Sequence, residues 1–145
     1  MNEKLQPYTQ IGSSELTPIK GIFALSFLNK LFPNNYFSRK YFMRDFQRKG
    51  VVEVDVVPGS AFMVRRKIFE QVGGFDPKFF LYFEESDLCK RVRDLGYKIY
   101  INFDVPIIHL WRGSTPDNPM IKKIFEKSRF YYFKKHFGIF NALLV

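Results

Sequence analysis

Apolar positions along this chain follow two different periods, and each change of period marks an element. Between Pro18 and Leu31, the residues Ile22, Leu25, Phe27, Leu28 and Leu31 cover one broad helical face. Pro18 suits a first turn, so one helix is predicted over that span, ended by Pro33-Asn34-Asn35. From Val51 to Val57 the pattern alternates and is rich in β-branched residues, which predicts a strand. Pro58-Gly59-Ser60 interrupts it, and Ala61 to Arg65 is read as its resumption. Arg66 to Val72 predicts a short helix stopped by Gly73, and Asp76-Pro77 a turn. Glu84 to Leu95 is the clearest helix: Leu88, Val92 and Leu95 share a face, acids fill the first turn, bases follow, and Gly96 stops it. Tyr97 to Phe103 alternates as a strand, and Val105 to Leu110 predicts a shorter one carrying His109. Gly113 to Pro119 reads as loop and Met120 to Phe137 as a final helix. Residues 1–17 are polar and read as a loop or flexible end.

These elements divide the chain into a flexible segment with an amphipathic helix (1–50), a central α/β unit (51–115) and a basic aromatic helix (116–145). At 145 residues there is room for one domain with a modest core. Aromatics reach 19%, with 18 Phe and 8 Tyr, more than a small core can absorb, so some rings are expected on a surface that meets lipid, substrate or protein. The net charge of +9 suits anionic partners such as nucleotide diphosphates, phospholipid headgroups or nucleic acid, without choosing among them. A single cysteine, Cys89, excludes an intrachain disulfide and a cysteine-only metal site. No stretch approaches the ~20 apolar residues of a membrane span, and the first ten residues lack a basic-then-apolar leader pattern, so membrane contact is expected to be peripheral.

Candidate chemistry concentrates in one place. Glu84, Glu85 and Asp87 set three carboxylates in four residues, directly after the aromatic run Phe79 to Phe83. One reading is charge complementarity at a helix start, with Arg91 and Arg93 nearby. The other is a general base whose pKa the aromatic run raises by desolvation. His109 ends an apolar strand before Trp111, Arg112, Gly113 and Ser114; it is either structural or a ligand to a divalent cation holding a diphosphate. Pro58-Gly59-Ser60 is either a bulge or a point of close approach between backbone and ligand. Glu53-Val54-Asp55 mimics an acidic metal pair, but nothing Gly-rich or basic adjoins it, and a solvated strand face is the better reading. The last helix interleaves Lys122, Lys123, Lys127, Arg129, Lys134 and Lys135 with aromatics, which fits either a peripheral membrane helix or a helix packed on protein with a basic back. No nucleic-acid recognition motif is present, and nucleic acid is not expected as a partner.

The ordered series Val54 to Arg66, Phe69, Val72 to Asp76, Phe79 to Asp87, Leu88-Cys89-Lys90-Arg91, Gly96-Tyr97, His109 and Gly113-Ser114 resembles the C-terminal half of the catalytic domain of family 2 glycosyltransferases, in particular the rhamnosyltransferase-like branch of bacterial polysaccharide synthesis. The resemblance covers somewhat under half of the chain. It implies a partial GT-A-like domain of the α/β class, a small mixed sheet flanked by helices. It implies an inverting transfer from a nucleotide-sugar donor to a polysaccharide or lipid-linked saccharide acceptor. In that reading Glu85 takes the position of the usual base, with Glu84 beside it and Asp87 as the alternative base. Gly59 and Ser60 match the turn lining the donor and acceptor cleft, and Asp76 looks structural or acceptor-facing. His109 matches the histidine that helps bind a metal–diphosphate with Mn2+ or Mg2+, flanked by Trp111, Arg112 and Ser114. The basic, aromatic ends suit docking at the cytoplasmic face of the cell membrane.

The resemblance is incomplete in one respect. No strand–helix repeat, nucleoside-binding Asp or convincing Asp-x-Asp precedes Gly59, so the chain is expected to be a truncated piece, inactive alone and prone to self-association through an exposed apolar edge. The rival expectation is a non-catalytic membrane- or saccharide-binding module of the same fold.

Overall fold

The computed structural model describes residues 12–45, 49–105, 107 and 119–145. Their order is α1 (Pro18–Leu25), α2 (Leu28–Leu31), α3 (Tyr36–Tyr41), β1 (Val51–Val54), α4 (Arg66–Gln71), α5 (Glu84–Asp94), β2 (Ile99–Asn102), α6 (Pro119–Phe137) and α7 (Ile139–Leu144). β1 and β2 pair antiparallel, with Val51 opposite Asn102 and Val54 opposite Ile99. The architecture is a small two-stranded sheet among helices. Alternation decides its inner face: Val52 and Val54 are buried, while Val51 and Glu53 face solvent.

Four sequence expectations are corrected or shortened. The helix expected over Pro18 to Leu31 is broken after Leu25. Ser26 takes an extended backbone, its hydroxyl bonds back to the Ile22 carbonyl, and the same oxygen accepts the Leu28 N–H over 3.1 Å. A serine that offers the backbone a local partner competes with helix continuation. Ala61 to Arg65 does not resume the strand. Beyond β1, Val56 makes only an isolated bridge to Ser13, and Met63 is fully exposed, with no neighbouring strand among the described residues to pair with. The Val51–Val57 and Tyr97–Phe103 strands are accordingly shorter than their alternating patterns. Of the strand expected over Val105 to Leu110, only Val105 and Ile107 are described, both exposed and outside any strand; its other residues, and the loop from Gly113 up to Pro119, lie outside the described residues.

The core is aromatic and sits where α6 meets the rest. Leu16, Phe79, Phe83, Tyr132, Phe133, Ala142 and Val145 form one buried cluster. α6 therefore packs through its aromatic face while Lys122, Lys123, Lys127 and Lys134 stay exposed. Of the two readings of this helix, packing on protein is the one observed. On the far side, Ser38 is fully buried and donates to the Phe23 carbonyl over 2.9 Å, and Asn35 caps α3 by accepting the Ser38 N–H, so α3 is tied to α1.

α1 reaches the core through Gly21. A Cβ there would lie 2.6 Å from Phe133 Cζ and 2.8 Å from Val145 Cγ1. Gly21→Ala gains up to ~1 kcal/mol of helix propensity but overpacks this contact at a cost of ~1–3 kcal/mol. A net loss of stability is expected, measured as a lower urea midpoint. A raised midpoint would mean that the Phe133 ring steps aside freely.

Candidate active site

The acidic run is placed by a sharp bend. Tyr82 and Phe83 both take left-handed backbone angles, φ 67°, just before α5 begins at Glu84. Neither is glycine, so each conformation costs on the order of 1–3 kcal/mol and must be held by its surroundings. The holding groups are on α6. Ser128 donates to the Leu81 carbonyl over 2.8 Å, Tyr82 sets its ring edge-on to Phe125, and buried Phe83 packs against Phe125 and Tyr132.

The bend brings Glu85 beside the Pro58-Gly59-Ser60 break. The Gly59 N–H points at Glu85 Oε1 over 3.3 Å. A Cβ at Gly59 would lie 3.3 Å from the same oxygen, so a side chain there would crowd the carboxylate. Glu85 Oε2 is buried and has no hydrogen-bond partner among the described residues, and the same holds for Glu84 Oε2. Burial, and then the neighbouring Glu84 charge, raise the Glu85 pKa above its ordinary value. Glu85 is thus a carboxylate with one committed oxygen and one unpartnered among the described residues, and its pKa is raised.

Asp87 is arranged in the opposite sense. It is fully buried, and side chains of Arg91, Lys135 and His136 take both of its oxygens. Arg91 reaches Oδ2 at 2.7 Å through Nη2 and at 2.8 Å through Nε; Lys135 and His136 reach Oδ1 at 2.6 and 2.8 Å. Burial works to raise its pKa, but hydrogen bonds from His136, Lys135 and Arg91 hold it below the ordinary carboxylate value. Arg91 also donates to the carbonyls of Val72 and Gly74, so Asp87 ties α5, α6 and the Gly73-Gly74 turn together. Asp76 belongs to the same structure: it accepts from the Lys78 N–H, from the Tyr131 hydroxyl at 2.9 Å and from Lys135 at 2.7 Å. Its pKa falls to about 2, because these donors, Lys135 foremost, outweigh burial. Asp76 therefore faces α6, not the Gly59–Glu85 pair.

Gly59, Glu84 and Glu85 are thus brought together, with Ser60 exposed next to them. His109, Trp111, Arg112 and Ser114 lie outside the described residues. Among the described residues no group of three or more His, Cys, Asp or Glu side chains could hold a metal ion. Glu53 pairs with Lys98 across the sheet, and Asp55 accepts the Glu15 N–H at 2.7 Å, so the acidic-x-acidic mimic is spent on structure. Behind the acidic turn, Cys89 is buried and its thiol pKa is raised, chiefly by that burial. Sequence reasoning missed Lys135 and His136 as partners of Asp87. The available signal was an acid three residues into a largely apolar helix face, which requires cations from another element.

The chain resembles several characterised proteins in sequence. It is 39% identical over 62 residues to an N-acetylglucosaminyl-diphospho-decaprenol L-rhamnosyltransferase of Mycobacterium tuberculosis, which covers 42% of this chain and 20% of that protein. It is 33% identical over 84 residues to the rhamnosyltransferase WbbL of Escherichia coli, covering 58% of this chain and 30% of that protein. Over 40 residues it is 42% identical to the low-salt glycan biosynthesis hexosyltransferase Agl10 of Haloferax volcanii, 28% of this chain and 13% of that protein. No family model and no solved structure matches the chain. Its similarity is therefore to glycosyltransferases of the rhamnosyl and hexosyl kind. The chain spans about a fifth of the first of these relatives and under a third of the second.

Proposed function

We propose that this chain supplies the base-bearing part of an inverting glycosyltransferase that moves a sugar from a nucleotide-sugar donor to a saccharide or lipid-linked saccharide acceptor, on a partial GT-A-like framework. The observation that carries this reading is the Glu85 carboxylate: half-buried, raised in pKa, held at one oxygen by the Gly59 N–H and without a hydrogen-bond partner among the described residues at the other, buried one. That second oxygen would take the proton of an acceptor hydroxyl as the hydroxyl oxygen attacks the anomeric carbon and the nucleoside diphosphate departs. Partial burial, and then repulsion from Glu84, keep Glu85 basic. Asp87 and Asp76 serve as positioning residues that fix the helix start. Mn2+ or Mg2+, implied by the family resemblance, would fall to His109; Glu84 and Glu85 alone are too few donors for it. The base chemistry at Glu85 does not depend on that assignment.

The test is sugar transfer from a panel of nucleotide sugars, assayed on the chain and on a hybrid in which it replaces the matching stretch of the E. coli rhamnosyltransferase. Because the base must be ionised, kcat/KM is expected to fall on the acid side along a limb above 4.5, the ordinary glutamate value. A folded hybrid with no transfer, or one whose acid limb stays in place when Glu85 is replaced, would sink the reading.

A further inference from the structure

From Leu16 to Arg44 the chain carries five Lys or Arg residues and no Asp or Glu. The acids that bracket this stretch, Glu15 and Asp45, are already paired with Arg93 and Arg39. Within it, Phe27, Leu31, Phe32 and Tyr36 are 60–69% exposed, far more than aromatic and aliphatic side chains need to be in a chain with a core available. They are physically connected. Phe23, Leu31, Phe32 and the Pro33-Asn34-Asn35 corner line one surface hollow. Phe23 stacks on Phe37 at 4.9 Å, and Phe37 meets Tyr36 edge-on. The cations sit at the rim of this apolar patch. Lys40 lies over the Tyr36 ring at 5.8 Å, and Arg44 donates to the Pro33 carbonyl and Asn34. Lys30, Lys40 and Arg44 make no salt bridge among the described residues, and Lys40 is within electrostatic reach only of Asp45, which Arg39 already pairs.

We propose that this α1–α3 corner is a docking surface for an anionic lipid bilayer, with Phe27, Leu31 and Phe32 entering the interface and Lys30, Lys40 and Arg44 meeting lipid phosphates. Charge complementarity selects the occupant. A protein partner would be met by interleaved acids and bases, whereas a headgroup layer is met by cations alone around an apolar tip. Aliphatic Leu31 and the isolated Phe rings suit hydrocarbon better than base stacking, which needs a platform along a groove. No helix among the described residues is long and apolar enough to cross a membrane, so contact through this corner would be interfacial. α6, whose aromatic face is buried in the core, is not the contacting element.

The experiment is co-sedimentation of the full chain with phosphatidylcholine vesicles, with and without phosphatidylglycerol. Binding is expected only with phosphatidylglycerol and should weaken as salt rises. Lys30→Glu with Lys40→Glu should lower partitioning at least about 25-fold, at roughly fivefold per charge near the surface. Phe27→Ser with Phe32→Ser should weaken it while far-UV circular dichroism stays unchanged. Lys122→Glu with Lys123→Glu, on exposed positions of α6, should matter much less. Three results overturn the proposal: equal loss from both charge pairs, tighter binding to a single-stranded oligonucleotide than to vesicles, or a dimer that Phe27→Ser with Phe32→Ser dissociates while vesicles are ignored. Vesicle binding requires no sugar transfer, so this proposal and the transferase reading can fail separately.

Discussion

Glu85→Gln is expected to lower sugar transfer by about 10²- to 10⁴-fold, the usual range for removing a general base, and to leave the protein more stable at neutral pH rather than less. The two halves of this expectation come from the same geometry. One oxygen of Glu85 has the weak Gly59 contact, and the other is buried without a hydrogen-bond partner among the described residues, next to Glu84. A charge placed so is an unfavourable feature of the fold. Its folded pKa is raised, so its stabilising share is complete below the ordinary value of 4.5 and is lost as pH rises through the folded value. Glutamine removes that dependence, so the variant should gain on the wild type as pH rises. Transfer measured in the hybrid, beside urea denaturation of the chain at several pH values, checks both halves. A Glu85→Gln protein that loses stability at neutral pH would show that the carboxylate is structural.

Asp87→Ala should do the reverse and unfold the protein toward its limit. Removing one member of a buried ion network typically costs ~3–5 kcal/mol, because the remaining charges are left without partners. Arg91 and Lys135 retain 20% and 25% side-chain exposure and can turn partly to water, so the lower end, about 3 kcal/mol, is expected. The folded pKa of Asp87 is depressed, so its contribution is present above the ordinary carboxylate value and is lost as pH falls through the folded one. The deficit of Asp87→Ala should therefore be largest near neutral pH and shrink in acid. Asp87→Asn, which can still accept hydrogen bonds, should lose less. Undiminished stability together with abolished transfer would make Asp87, not Glu85, the base.

The sequence shows the helix that bears the site clearly, because its apolar spacing, charge gradient and terminal glycine all agree from Glu84 onward. The aromatic run before it is legible as an apolar segment, and Phe79 and Phe83 do enter the core. Its left-handed bend is not, since Tyr82 and Phe83 do not favour that conformation and adopt it only because Phe125, Tyr132 and Ser128 of a distant helix hold them. The same limit separates Glu85 from Asp87. They are near-equivalent as letters, and their opposite electrostatics come from burial beside Glu84 in one case and, in the other, from Lys135 and His136, 48 and 49 positions away in the chain. The break at Ser26 hides for a different reason. Apolar periodicity continues straight across it, and one hydroxyl decides the matter locally. The Ala61 to Arg65 misreading arises because strand character depends on a pairing partner, which composition does not report.

Cys89 gives the acidic turn a built-in clock. It is the only thiol in the chain and lies one helical turn beyond Glu85, shut away from solvent. A disulfide reagent can modify it only when that part of α5 lifts from its neighbours, so in the fast-reclosing regime the labelling rate measures the free energy of that local opening under native conditions. Two variants with the same melting temperature could then be told apart by whether their substitution loosened the carboxylates or some remote part of the fold.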